Sequence, residues 1–219
     1  GSGYGAGIFI QGDQTISLAP SGGQTITISG AIADQTGSGG TGVGALAMNG
    51  TGLLQLGAAS SFTGGIKLNS GTVEIASTLA AASGTIAFGG TAATLLVDAG
   101  VLTPVVSPFA NSVSDFALGD TIDLAGVDIS NVSISGTTVS YGGGRSFGVT
   151  TGGFGLFQGL SAIADGVGGT DGDSLVCVVT SGARGGRVAR LSSSDTGATV
   201  SAWSRRSSRA LRCRWASAC

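Results

Sequence analysis

Residues 50–77 read GTGLLQLGAASSFTGGIKLNSGTVEIAS. Apolar side chains recur at every second position: Leu54 with Leu56, Ile66 with Leu68, Val73 with Ile75. A period of 2 is that of a strand with one buried face, because successive side chains point to opposite sides of the backbone. Gly, Ser and Asn stand at the ends of each run, where the chain must turn. Three short strands joined by glycine-containing corners is the reading that follows.

The same grammar extends in both directions. Upstream, Ile16 and Leu18 in TISL and Ile26 and Ile28 in TITI lie ten residues apart, and GALAMNG (44–50) follows. Downstream come GTIAFGG (84–90) and TLLVDAG (94–100). The triplet Ser-Gly-Thr opens three units, at 70–72, 83–85 and 135–137, the first two 13 residues apart. No segment keeps a helical period. The uncharged stretch Ile75 to Val97 is long enough for a membrane span, but glycines at 84, 89 and 90 and repeated Ser and Thr interrupt it, and strand alternation explains it better. A lone strand of this kind cannot bury its apolar face, whereas stacked neighbours form a continuous core. In a β-helix such neighbours lie about 4.8 Å apart, with glycine relieving the corners. A β-sandwich or jelly roll also uses short alternating strands with frequent turns, so periodicity alone leaves both open.

The run 50–77 resembles the autotransporter-associated β-strand repeat of bacterial passenger domains. Gly50, Gly52, Leu54 and Leu56 fit its lead, Phe62-Thr63-Gly64-Gly65 its aromatic-Thr-Gly-Gly turn, and Gly71-Thr72-Val73 with Ile75 its closing strand. Residues 10–42 are similar to the segment that precedes this repeat in large surface proteins, and SDFALGDTIDLAGV (114–127) to a phrase of exported repeat proteins. The resemblance covers roughly residues 8–130. It implies an all-β chain folded as a right-handed parallel β-helix, a β-solenoid, at the bacterial cell surface or outside it, with an adhesin-like, structural role. GVGGTDGDSLVCVVTSGAR (166–184) resembles the junction with a Hint domain, the intein-like self-processing module, which would start at Cys177 as nucleophile. That family expects a Gly-Thr-x-Ile continuation and a histidine; Ser181-Gly182-Ala183-Arg184 follows instead. The expected division is a solenoid region over 1–176 and, over 177–219, a Hint remnant with an irregular or disordered tail.

Composition narrows the chemistry. The chain has 219 residues, 42 of them Gly and only 3 Pro, with 10% charged side chains, which is neither collagen-like nor typical of a disordered chain. Histidine is absent, so neither a Ser-His-Asp or Cys-His centre nor a His-containing zinc site can be built. Charge divides the chain: up to residue 181, Lys67 and Arg145 face eleven acidic residues, whereas 182–219 holds eight arginines against Asp195. Both tryptophans (Trp203, Trp215) and two of the three cysteines (Cys213, Cys219) fall in that last segment. Such an abrupt change is expected of out-of-frame translation or a disordered tail. The cysteine-free first 176 residues are compatible with export through an oxidising compartment. Gly1 opens the chain without a basic-then-apolar leader, so the expectation is that an export signal lies upstream or was never present.

Several residue groups have the composition of a site. GGTDGDSLV (168–176) approximates a calcium nonapeptide, with Asp171 where its third glycine belongs and Asp173 as the ligand position, against a solvated turn. Asp120 and Asp123 in GDTIDL could be the acid and base of a glycosidase or polysaccharide lyase; the competing reading puts Asp120 in a turn and Asp123 on a polar strand face. YGGGR (141–145) lacks the Lys-Ser/Thr of a phosphate-binding loop and reads as a turn. Phe147, Phe154 and Phe157 are expected to pack a terminal coil rather than stack on bases, because their surroundings are acidic. No catalytic, cofactor-binding or metal-binding residue is therefore assigned. The expectation is a non-enzymatic adhesin-like segment that meets a surface polysaccharide or a host or cell-surface ligand, without nucleic acid or membrane insertion. A β-helical carbohydrate-active enzyme and a calcium-dependent exported repeat protein are the alternatives.

Overall fold

In the computed structural model, residues 7–90, 92–102, 109, 111–152, 158–164 and 174–180 are described. Strands dominate. In chain order they are β1 (Ile8–Ile10), β2 (Gln14–Leu18), β3 (Thr25–Ile28), β4 (Ile32–Asp34), β5 (Gly44–Met48), β6 (Leu53–Leu56), β7 (Ile66–Leu68), β8 (Thr72–Ile75), β9 (Ile86–Phe88) and β10 (Thr94–Val97). A single helical turn, α1 (Ala99–Leu102), precedes β11 (Val113–Phe116) and β12 (Thr121–Leu124). A 3-10 turn at Ile129–Asn131 then leads to β13 (Ser133–Ser135), β14 (Thr138–Ser140), β15 (Ser146–Thr151), β16 (Gln158–Ala164) and β17 (Ser174–Thr180).

The strands are dealt alternately to two sheets. The first runs β2-β5-β7-β9-β11-β15 and the second β3-β6-β8-β10-β12, with every one of these neighbours parallel. β1 and β4 form a separate parallel pair. Parallel pairing sets these sheets apart from the antiparallel sheets of a sandwich or jelly roll. The ten-residue offset between TISL and TITI, and the thirteen-residue offset between the first two Ser-Gly-Thr triplets, are steps from one sheet to the other. Hydrogen-bonded neighbours lie further apart in sequence: Leu46 pairs with Ile66 and Ile66 with Ile86 in the first sheet, Leu54 with Val73 and Val73 with Leu95 in the second.

Register turns alternation into columns. Ile16, Leu46, Ile66, Ile86, Val113 and Val149 stack in the first sheet, and Ile26, Leu54, Val73, Leu95 and Ile122 in the second. A second column in each sheet, Leu18-Met48-Leu68-Phe88 and Ile28-Leu56-Ile75-Val97-Leu124, completes one apolar cluster shared by both sheets. Phe88 and Phe116 meet edge to face within it, centroids 5.1 Å apart, an arrangement aromatic pairs favour. A parallel sheet usually shows unbroken apolar runs because both faces are covered; these strands alternate because only one face of each is.

Corners depend on glycine where backbones touch. Gly71 has φ +66°, and a Cβ there would stand 2.4 Å from the Gly50 carbonyl oxygen and 2.6 Å from that of Gly52. After β12 and β15 the pairing changes sense: β14 and β13 extend the first sheet antiparallel, β17 and β16 the second. The described residues of the stretch 75–97 hold the end of β8, then β9, β10 and turns, and among the described residues no helix is long and apolar enough to cross a membrane. The expected change of domain after residue 176 falls within β17. The Arg-rich tail lies outside the described residues.

Candidate functional site

Carboxylates are the chemistry-bearing groups of this histidine-free chain, and the fold puts them to three different uses. Asp34 closes β4 and is fully buried. Its Oδ1 accepts the Gly37 amide at 2.6 Å; its Oδ2 accepts the Gly44 amide at 2.9 Å, the Thr63 amide at 2.6 Å and the Thr63 hydroxyl at 2.7 Å. Burial pushes its pKa up, but the hydrogen bonds from Gly37, Gly44 and Thr63 together outweigh that and hold the carboxyl below the ordinary range. A carboxylate whose lone pairs are so fully engaged is an anchor rather than a base. Thr63 belongs to the Phe62-Thr63-Gly64-Gly65 turn, whose Phe62 ring is fully buried.

Asp120 and Asp123 do not share a site. Asp120 occupies a turn with Gly119 at φ +100°, its own amide on the Ala117 carbonyl at 3.1 Å, and its side chain is buried. Oδ1 accepts the Ala93 amide at 3.1 Å and Oδ2 the Ala117 amide at 3.0 Å; burial nonetheless raises its pKa, against the lowering by these bonds. Asp123 lies between the buried Ile122 and Leu124 and so points to the opposite face of β12. The turn-and-strand reading of this pair fits, because alternation puts the two carboxylates on opposite faces.

Asp123 instead joins an outward column on the second sheet, in register with Thr27, Gln55, Glu74 and Leu96. Thr27 Oγ1 donates to Gln55 Oε1 at 3.2 Å, and Gln55 Nε2 to Glu74 Oε1 at 2.9 Å. Asp98, just past β10, reaches Glu74: burial first, then the Glu74 charge and a hydrogen bond between the two carboxyls, raise its pKa. Sequence reading missed this pair, since only the strand register brings residues 24 apart together. A parallel polar ladder runs along a neighbouring corner, where Asn69 Nδ2 donates to Asn49 Oδ1 at 2.6 Å and Asn49 Nδ2 to Ser17 Oγ at 2.7 Å.

A cleft of about 270 Å³ opens near the antiparallel end, bordered among others by Asp128, Asn131, Tyr141 and Arg145. YGGGR is the hairpin turn between β14 and β15: Gly142, Gly143 and Gly144 have φ of +92°, +60° and +74°, and the Tyr141 amide bonds the Arg145 carbonyl at 3.1 Å. Arg145 donates Nε to the Gly142 carbonyl at 3.0 Å and Nη1 to the Leu102 carbonyl, with its guanidinium 5.5 Å from the Tyr141 ring centre. Those bonds tie the turn to α1 rather than present a phosphate cradle. Tyr141 Oη donates to the Phe109 carbonyl at 2.7 Å, and burial raises its pKa against the Arg145 charge. Phe147 packs edge to face on Phe109. Beside the cleft, the Ser130 hydroxyl and amide hold the Asp128 carboxyl below its ordinary range.

Phe154, Phe157, Asp171 and Asp173 lie outside the described residues. Cys177 lies in β17, its backbone opposite Thr121 on one side and Ser161 on the other. Among the described residues, no group of three or more Asp, Glu or Cys side chains is placed to hold a metal ion. Comparison with family models, with curated proteins and with solved structures found no match.

Proposed function

We propose that this chain is a segment of a right-handed β-solenoid, structural and adhesin-like, from a protein that works at or beyond the bacterial cell surface. The observation that carries the reading is the register: strands alternate between two parallel sheets, and each apolar column continues from one circuit of the chain to the next. The handedness follows the strong preference of parallel crossovers for the right hand. The resemblance of residues 50–77 to the passenger-associated repeat favours the extracellular setting, and Thr63 in its turn hydrogen-bonds the buried Asp34 of the preceding circuit.

Function on this reading is geometric. Stacked circuits supply rigidity and reach, while the outward columns of Thr, Gln, Asn and carboxylate side chains offer a repeating polar face to a surface polysaccharide or cell-surface ligand. Asp34 and Asp120, two buried carboxylates, are spent on backbone amides, which favours a non-catalytic role. Among the described residues, the contact between Glu74 and Asp98 is the feature that favours a carbohydrate-active enzyme. Cys177 is kept as the remnant of a Hint start, to be settled by whether the parent DNA resumes a histidine-containing Hint sequence in another frame.

Small-angle scattering combined with a panel of bacterial and host polysaccharides tests the proposal. An elongated particle that retains one or more of them without degrading them is the expected result. A compact particle sinks the solenoid, and release of reducing sugar overturns the non-catalytic role.

A further inference from the structure

The polar side chains on the outer faces of the sheets satisfy one another: Thr27, Gln55 and Glu74 are hydrogen-bonded in series, as are Ser17, Asn49 and Asn69. The cleft of about 270 Å³ is different. Its polar groups come from two segments, 125–131 and the turn 141–145, and all the residues that border it are among the described residues. Arg145 is fixed there by its bonds to the Gly142 and Leu102 carbonyls and by the Tyr141 ring, 5.5 Å away. Those bonds engage Nε and Nη1; of the five N–H donors of a guanidinium, the two on Nη2 bond no described residue. A Cβ at Gly143 would stand 3.1 Å from Nη2, so any side chain there would crowd the guanidinium. On the other segment, Asp128 Oδ1 accepts the Ser130 amide at 2.7 Å and the Asn131 amide donates to the Asp128 carbonyl at 2.8 Å, which fixes where both side chains start. Both are exposed, and the Asn131 carboxamide bonds no described residue.

We infer that this cleft binds one neutral hexopyranose ring. The inference rests on the reading of the chain as a segment that meets a surface polysaccharide, and places that contact at a single sugar unit. Size sets the first limit: the cleft falls just below the range of about 300–1,000 Å³ typical of drug-sized ligands, which suits one six-membered ring. Charge sets the class. Asp128 and Arg145 border the same cleft, so an anion meets a carboxylate there and a cation meets a guanidinium. A sugar hydroxyl both donates and accepts hydrogen bonds. Arg145 Nη2 and Asn131 Nδ2 supply donors, and the Asp128 carboxylate and Asn131 Oδ1 supply acceptors, the mixed set that neighbouring hydroxyls require. Leu102, Ala125 and Val127, also at the cleft, give the C–H face of the ring its apolar contact. The outward ladders are poorer sites, because their donors and acceptors are already paired side to side.

Amide NMR of the isotopically labelled full chain reads this directly, in titrations with the methyl pyranosides of glucose, galactose and mannose and, separately, with glucuronate and inorganic phosphate. At least one neutral sugar is expected to bind with a Kd of about 1–10 mM, shifting the amides of Gly126, Gly142 and Gly143 and the side-chain amide of Asn131. Asn131→Ala removes an exposed side chain, and Asp128→Asn keeps the acceptor for the Ser130 amide. Each is expected to weaken binding about fivefold with circular dichroism unchanged. The inference is overturned if no neutral sugar moves these signals, if glucuronate or phosphate binds in place of the neutral sugars, or if both folded variants bind as wild type does. Its failure and that of the adhesin-like reading are separable. A retained polysaccharide that shifts Asn49, Gln55 and Asn69 instead of the cleft overturns the inference alone. Sugars that shift the cleft of a protein retaining no polysaccharide uphold the inference and overturn the adhesin-like reading.

Discussion

Asp34 and Asp120 tie one circuit of the chain to another from opposite directions: Asp34 reaches 29 residues forward to Thr63, Asp120 27 residues back to Ala93. Their pKa values move oppositely because Asp34 gathers enough donors to overcome burial and Asp120 does not. A depressed carboxylate contributes stability that is fully present above its unfolded value and is lost as pH falls through the folded one. Asp98 and Asp120, both raised, act with the reverse sign, their ionisation weakening the fold as pH rises through the carboxylate range. Asp34→Asn isolates the first effect. It leaves buried amides facing an amide nitrogen, so a loss of about 2–3 kcal/mol at pH 7 is expected. The gap from wild type, measured by urea melts, stays constant above about pH 5 and narrows below the ordinary value of 3.8. A gap that persists unchanged to pH 2 contradicts the ionised anchor.

At the scale of elements, the corners decide which glycines matter. Gly71→Ala meets both a left-handed φ and two carbonyl oxygens within 2.6 Å of the new Cβ. The expected cost is about 3 kcal/mol or more. Gly148, in β15, has open space around the same atom, and Gly148→Ala is expected to stabilise by up to about 1 kcal/mol through the lost entropy of glycine. Paired thermal melts check both; equal shifts would mean the corner is softer than its geometry. Strand existence was legible from alternation alone, since Leu54, Leu56, Val73 and Ile75 read as inward in sequence and are buried in the fold. Which strands pair was not. Offsets of ten and thirteen residues stand out in the sequence because the same turn chemistry serves corners between different sheets, whereas the pairing interval is set by loop lengths that vary from circuit to circuit. For the same reason the alternation was enough to separate Asp120 from Asp123, but only the register could bring Glu74 to Asp98.

Across the whole molecule, stability should grade along the stack rather than rise and fall as one unit. Among the described residues, each strand from β5 to β10 is hydrogen-bonded on both sides, while β2 and β3 are bonded on one. In such a quasi-one-dimensional array the free energy of a circuit is its own plus that of its interfaces, so a terminal circuit opens locally at lower cost than an inner one. The central apolar residues Leu54, Val73 and Leu95 are wholly buried, whereas Ile26, at the end of the same column, is not. Native-state hydrogen exchange is expected to show amides of β6, β8 and β10 exchanging at least about 100-fold more slowly than those of β3. Uniform protection from β2 to β12 would mean that the chain unfolds as a single cooperative body.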